Sequence, residues 1–119
     1  MTIERLDPGP RMSEAVRVGD LAFLAGQVPD DLSGDITQQT TEVLANIDAV
    51  LARLGGSKAN LVSVQVWLAD MADFPGMNAV WDAWVDAANA PARATGGVPL
   101  ARAGMRVEMI AVAHLGATD

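Results

Sequence analysis

Residues 90–113, with the sequence APARATGGVPLARAGMRVEMIAVA, determine how the rest of the chain must be organised. From position 107 to 113 the only polar residue is Glu108. On a strand its side chain shares a face with Ile110 and Val112, while the odd-numbered residues take the other face. Both faces therefore look buried, and an ionised carboxylate in such a place is costly unless it is paired. Glu108 is predicted to have either a partner or a chemical role.

Arg93 raises the same question on a short extended segment that Pro91 introduces and Gly96-Gly97 interrupts. A guanidinium is well suited to hold a planar carboxylate through two parallel hydrogen bonds. The alternative is that Arg93 and Glu108 form an ordinary ion pair between neighbouring strands. The residues alone leave both interpretations open.

Three extended runs are predicted before the first helix, at residues 2–6, 14–18 and 21–28, with Gly19-Asp20 as the hairpin turn between the last two. Apolar residues at three- and four-residue spacing then predict a helix over 36–54. Asp35 is its predicted N-cap, Gln38 completes a capping-box pattern, and Gly55-Gly56 ends it, the first glycine left-handed.

A strand is predicted over residues 61–69, with Val62, Val64, Val66 and Leu68 on one face. A second helix opens at Asp73-Phe74-Pro75 and runs to Asn89-Ala90-Pro91. Its apolar stripe is interpreted as core packing rather than a ligand box, and consists of Met77, Val80, Trp81, Trp84 and Ala88.

This succession of strands and helices predicts an α+β fold, one domain over residues 1–119, with helices on one face of a mixed sheet. Several strands are apolar on both sides. In a two-layer monomer the uncovered face should be polar, so another subunit is expected to bury it.

Composition excludes several classes of function. The net charge is −7 and the chain has no cysteine, so nucleic acid is not an expected partner and thiolate chemistry is ruled out. Asp30 and Asp31 lack calcium-loop spacing, and His114 is the only histidine, so neither a metal nor a cofactor is predicted. No apolar run approaches a membrane span, which favours a soluble cytoplasmic protein.

Pro91-Ala92-Arg93, the strand at 106–113 and the early segment LAGQVP at 24–29 together resemble the RidA/YjgF family of reactive-intermediate deaminases. The resemblance covers nearly the whole chain. Asp82-Ala83-Trp84 makes the sequence similar to a shorter, YoaB-like branch. The resemblance implies a chorismate-mutase-like homotrimer with a central barrel, clefts between subunits and no cofactor.

The resemblance also implies residue roles. Arg93 would bind the substrate carboxylate, and Glu108 would lie near the water that hydrolyses an imine. Further substrate-binding positions would be Thr95, Ala25, Gly26 and Asn78. The sequence departs from the family pattern at three places: Ala25 replaces a hydroxyl residue, Thr95 replaces a cysteine, and alignment by eye puts Ala15 where the family has a tyrosine.

The leading hypothesis is therefore a cofactor-free enamine or imine deaminase that converts 2-aminoacrylate-like substrates to 2-keto acids and ammonia. The alternative is a trimeric binder or sensor of small carboxylates without turnover, which Ala25 and Ala15 would favour. A third hypothesis is the ribonuclease or translation-inhibitor role of some relatives. The acidic balance and the lack of a basic aromatic strip count against it.

Overall fold

A six-stranded sheet and two α-helices make up the computed structural model, which describes residues 2–116. The strands are β1 Ile3–Leu6, β2 Ala15–Val18, β3 Leu21–Leu24, β4 Leu61–Leu68, β5 Ala92–Gly97 and β6 Val107–His114. The helices are α1 Ile36–Arg53 and α2 Phe74–Trp84. The strand order is β1-β2-β3-β6-β4-β5, with β4 and β5 parallel and the other pairs antiparallel. The α+β class and the mixed sheet are confirmed.

Both helices cover the same face of the sheet, here called the inner face. Its central strands present fully buried side chains, among them Val64, Val66 and Leu68 of β4 and Val107, Met109 and Ala111 of β6. These pack against the apolar stripe of α1, which comprises Val43, Leu44, Ile47, Val50 and Leu51. Burial of this face is the main favourable term in folding, at roughly 25 cal/mol per Å² of apolar surface.

The opposite, open face carries apolar side chains that no other part of residues 2–116 covers. Leu21 and Phe23 are 40% and 46% exposed. Ile110 and Val112 of β6 lie beside them and are half-buried. Within one chain the even-numbered face of the last strand is only half-covered, and its burial by another subunit stays a prediction.

The ends of α1 follow the predicted pattern except for one contact. Asp35 Oδ1 accepts a hydrogen bond from the backbone N–H of Gln38 at 2.8 Å, and Gly55 has a φ of 82°. The Gln38 side chain does not return to the cap, because its Nε2 donates to Asp31 Oδ2 at 3.2 Å. The capping box is thus only half formed, and the same contact fixes the preceding loop to the helix.

Several predicted boundaries were wrong for identifiable reasons. Strand β3 ends at Leu24, and Gln27 returns to the sheet only as an isolated bridge to Met109. Helix α2 ends at Trp84 because Val85 is extended, at φ −61° and ψ 142°. The predicted continuation to residue 91 does not form, and Ala88 is exposed outside the helix.

Two further corrections concern the strands around the sheet edge. The register of β4 against β6 shifts between Leu61 and Ser63, so Leu61 is buried and Val62 is 44% exposed. Such a bulge interrupts strict alternation. Strand β5 continues through Gly96-Gly97, which the sequence had suggested would interrupt it.

No helix in the described part of the chain is long and apolar enough to cross a bilayer.

The bulge gives a matched pair of variants for the stability of β4. Val64 is fully buried, so Val64→Ala should lower the free energy of unfolding by about 2 kcal/mol through lost burial and a residual cavity. Val62→Ala removes the same atoms from an exposed site and should change it by less than about 0.5 kcal/mol. Urea titrations at equal protein concentration measure both, and equal losses would contradict the bulge.

Candidate functional site

Arg93 lies on the inner face of the edge strand β5. On the neighbouring parallel strand β4 it is paired with the buried Val64. Directly paired residues on adjacent strands project to the same side of a sheet. The Arg93 side chain is half-buried beneath α2. Because β5 is an edge strand, no other strand within residues 2–116 lies on its outer side.

Aromatic rings of α2 hold the guanidinium. The Arg93 Cζ atom lies 5.1 Å from the ring centroid of Trp81 and 5.9 Å from that of Phe74. Its Nη1 also makes a weak contact with Met77 Sδ at 3.9 Å. Stacking of this kind contributes about 0.5–2 kcal/mol and orients the planar group without using its strong N–H donors. The stripe predicted as core packing therefore also positions Arg93.

Arg93 has no carboxylate partner in the described part of the chain. The three ion pairs there join Arg17 to Asp20, Arg53 to Asp7 and Arg106 to Asp73. A half-buried guanidinium without a counter-ion is able to bind an anion, and its fork geometry fits a carboxylate.

Two predicted substrate-binding residues share the inner face with Arg93. Thr95 follows two residues later on β5 and pairs with the buried Val66. Asn78 belongs to the helix stripe formed by positions 74, 77, 78 and 81, because residues three and four apart are neighbours on a helix. Thr95 Oγ1 and Asn78 Oδ1 are both buried without a hydrogen-bond partner among the described residues.

Glu108 lies on the open face of β6, opposite Trp67 of β4. It is half-buried, and burial raises the pKa of its carboxyl group above the ordinary value of 4.5 because desolvation disfavours the charged form. Its Oε2 lies against Gly26, where a side-chain carbon would overlap that oxygen. Gly26 is therefore required for the present position of the carboxylate.

Gln27 is a site residue that the sequence analysis missed. It is 6% exposed, and its Nε2 donates to Glu14 Oε1 at 3.0 Å and to the Ala25 carbonyl at 2.9 Å. Its backbone exchanges two hydrogen bonds with Met109, the residue after Glu108. These contacts fix Ala25 and Gly26 against β6. A polar residue inside an apolar segment was the available signal.

The structure divides the predicted site residues between two faces of the sheet. Arg93, Thr95 and Asn78 lie on the inner side, whereas Gly26 and Glu108 meet on the open side. Strand β4 separates β5 from β6. The alternative that Arg93 and Glu108 form an ion pair between neighbouring strands is therefore wrong within one chain.

Ala15, where alignment by eye put the tyrosine of the family, faces the core and not Glu108. It is 1% exposed and pairs with Leu24 in the core, so a side chain at this position points away from Glu108. Met12, three residues earlier, is 55% exposed and lines a cavity of about 550 Å³ together with Glu14, Gly26 and Val28.

Within residues 2–116 no cluster of three or more His, Cys, Asp or Glu side chains has the arrangement of a metal site. Asp31 of the predicted solvated turn instead accepts hydrogen bonds from the Ser33 hydroxyl at 2.6 Å and the Ser33 N–H at 2.9 Å. These bonds lower the pKa of the Asp31 carboxyl.

Comparison with known proteins extends the likeness over almost the whole chain. The family model described as Endoribonuclease L-PSP matches residues 2–115. A RutC family protein of Haemophilus influenzae is 42% identical over 114 residues, which cover 95% of this chain and 98% of that protein. The RutC family protein YoaB of Escherichia coli is 41% identical over 113 residues, with coverage of 95% and 98%.

A solved structure agrees with these matches. The crystal structure of a YjgF family member from Neisseria meningitidis superimposes with a TM-score of 0.94 at 43% identity, covering 99% of this chain and 98% of that one. The segments that carry the resemblance, around Gly26, Arg93 and Glu108, all fall inside the matched range. The chain belongs to the RidA/YjgF family.

Proposed function

We propose that this protein hydrolyses reactive imines and enamines of 2-amino acids, such as 2-aminoacrylate, to 2-keto acids and ammonia. An enamine first tautomerises to the imine, as a proton is lost from its nitrogen and one is gained by the β-carbon. Water then adds to the imine carbon, the carbon–nitrogen bond breaks, and the nitrogen leaves as ammonia while the oxygen stays as the keto group. No step needs an oxidant or a reductant, and water is the only co-substrate.

The observation that carries this proposal is the Arg93 guanidinium, stacked on Trp81 and without a carboxylate partner in the described chain. Every substrate in the proposed class has a carboxylate next to the reacting carbon. Two hydrogen bonds from Arg93 would fix both the position and the plane of that group.

We further propose that the working site lies between two copies of the chain in a homotrimer. One chain holds Arg93 and Glu108 on opposite faces, so a single protomer cannot present both to one small molecule. The apolar residues of the open face, Leu21 and Phe23 among them, supply the surface that a second copy would bury. Glu108 of one copy would then meet a substrate that Arg93 of its neighbour holds.

In this arrangement Glu108 positions the attacking water and takes its proton. Imines of this class hydrolyse in water without help, so the protein needs to supply orientation and one proton acceptor rather than a new pathway. The raised pKa of Glu108 makes it a stronger base than an exposed carboxylate. Gly26 leaves the space that its Oε2 occupies.

A carboxylate carrier without turnover is the second candidate. The observation in its favour is Ala25, which places a methyl group, not a hydroxyl, beside Gly26. A carrier needs Arg93 but gains nothing from Glu108, because a carboxylate near a bound anion weakens its binding. Variants of these two residues therefore separate the two functions.

Removal of the guanidinium tests substrate capture. Arg93→Ala should weaken binding of a 2-keto acid by roughly 10- to 100-fold, because a hydrogen bond to a charged group is worth about 1.5–3 kcal/mol. Arg93→Lys should recover only part of the affinity, since an ammonium lacks the planar fork. Calorimetric titration measures both, and an Arg93→Ala protein that fails to fold would favour a structural role instead.

The role of Glu108 predicts a specific pH profile. In the substrate complex the ligand carboxylate neutralises the charge of Arg93, so burial remains the main influence on the pKa of Glu108 and keeps it above the ordinary value of 4.5. The value of kcat should therefore fall at low pH, with a midpoint above 4.5. The sign follows because the protonated form, which burial favours, cannot accept a proton. Glu108→Gln should lower turnover by on the order of 100-fold and abolish this limb of the profile.

Keto-acid affinity of the Glu108→Gln protein provides the control. An enzyme should show little change, whereas a carrier should bind more tightly once the repelling charge is gone. Unchanged imine hydrolysis would remove Glu108 from the mechanism.

A mixing experiment tests the shared site. Light scattering of the native protein should give a molar mass three times that of the 12.4 kDa chain. At a substrate concentration well below KM, Arg93→Ala and Glu108→Gln proteins should each lose at least about nine-tenths of the native activity. Refolding them together in equal amounts should restore activity at about a quarter of the sites, since random C3 assembly pairs an intact Arg93 with an intact neighbouring Glu108 at that frequency. No recovery, or a monomer at micromolar concentration, would contradict the arrangement.

A further inference from the structure

The carboxamide of Gln27 is a buried polar group outside the proposed mechanism. Its side chain is 6% exposed and lies in the otherwise apolar segment 24–29. Its Nε2 lies 3.0 Å from Glu14 Oε1 and 2.9 Å from the Ala25 carbonyl oxygen. An ionised carboxylate and a carbonyl can only accept hydrogen bonds, so the NH2 end of the amide must face them. The orientation of this side chain is therefore fixed by the two partners, which indicates that it holds the chain in place.

Both neighbours of Gly26 are anchored to other segments of the chain. The Ala25 N–H donates to the Glu14 carbonyl oxygen at 2.8 Å. The Gln27 N–H donates to the Met109 carbonyl oxygen at 2.8 Å, and the Met109 N–H donates back at 3.0 Å. The carboxamide of Gln27 joins these two anchors to each other, so Gly26 is held against β6 from both sides.

The backbone that these bonds hold forms one wall around the Glu108 carboxylate. A side-chain carbon on Gly26 would overlap Glu108 Oε2, so the carboxylate occupies the space directly beside this glycine. Burial alone raises the pKa of that carboxyl group, without a contribution from a hydrogen bond or a charge among the described residues. The position of the carboxylate therefore depends on the surfaces around it, and Gly26 is one of them.

We propose that Gln27 is a positioning residue for the hydrolysis, whose carboxamide holds Gly26 against β6 so that the Glu108 carboxylate keeps one position. The inference rests on the proposed function and adds to it a residue that acts through Glu108 without touching the substrate. A general base must lie within about 2.6–3.2 Å of the group whose proton it takes. The side chain of glutamate is flexible, so a wall that moves away would let the carboxylate leave that range.

Replacement of the carboxamide by a thioether tests this role. Gln27→Met removes both side-chain hydrogen bonds and keeps the approximate length of the side chain. The value of kcat should fall on the order of tenfold, because a misplacement of about 1 Å can cost up to about 100-fold and the backbone bonds to Met109 remain. The value of KM should stay unchanged, since capture of the substrate depends on Arg93 of a neighbouring copy. Steady-state kinetics over a range of substrate concentrations measures both quantities.

The same loop offers a matched control. Asn46 Nδ2 donates to the Val28 carbonyl oxygen at 2.9 Å. Asn46→Leu therefore also removes a bond from a side-chain amide to this loop, but it leaves the bonds around Gly26 in place. Its kcat and KM should both equal those of the native protein.

A double-mutant cycle distinguishes positioning from a general contribution to folding. If Gln27 acts through Glu108, Gln27→Met should cost no further activity in a protein that already carries Glu108→Gln. Multiplying losses in the double variant, a rise in KM alone, or an equal loss in Asn46→Leu would overturn the role of Gln27. Glu14→Leu removes one acceptor of the carboxamide from a half-buried position, and provides the same cycle if the methionine variant does not fold.

The outcomes separate this inference from the function on which it rests. Native kcat in Gln27→Met, together with a strongly impaired Glu108→Gln protein, would overturn the role of Gln27 alone. Native turnover in Glu108→Gln would overturn the proposed role of Glu108, and the inference with it.

Discussion

The alternation of side chains along β4 decides on which face of the sheet the candidate residues Arg93, Thr95 and Glu108 lie. Strand β4 is hydrogen-bonded to β5 on one side and β6 on the other. Arg93 and Thr95 are paired with the buried Val64 and Val66, so they lie on the inner face. Glu108 is paired with Trp67, so it lies on the open face. Because the side-chain period of a strand is two, a slip of one residue in either pairing would exchange the faces. The packing of the core, which fixes this register, therefore also determines the face on which each candidate residue lies.

The inner half of the site depends on aromatic support rather than on counter-charge. A carboxylate beside Arg93 would satisfy the guanidinium but would compete with any anionic ligand for the same donors. Trp81 and Phe74 orient the group through their π-faces and leave its N–H donors unused. The acidic net charge of −7 lies elsewhere, in part on Asp7 and Asp73, which pair with other arginines.

The spacing of apolar residues in the sequence predicted the features that depend on local pattern alone. The α1 helix, its Asp35 cap, the left-handed Gly55 and the inner faces of β4 and β6 followed from spacing and local chemistry. The end of α2 and the bulge near Val62 did not, because each depends on tertiary contacts that override the local pattern.

The candidate site divides in the same way. Glu108 and Arg93 stood out as charged groups in apolar strands, which is a property of single residues. Their placement on opposite faces depends on β4 lying between them, and strand order is invisible in a one-dimensional pattern. Gln27 was missed because its importance lies in partners thirteen and more residues distant, Glu14 and Met109.

The contact between Gly26 and Glu108 couples two positions that are 82 residues apart in the chain. The carboxylate of Glu108 fills the volume that a side chain at position 26 would need, so the two side chains compete for the same space. Enlarging residue 26 would force the Glu108 carboxylate to leave this position, either by rotation of its flexible side chain or by replacement with a shorter acid. The absence of a side chain on one loop residue thus leaves the space that the Glu108 carboxylate occupies, and the two positions should tolerate change together more readily than singly.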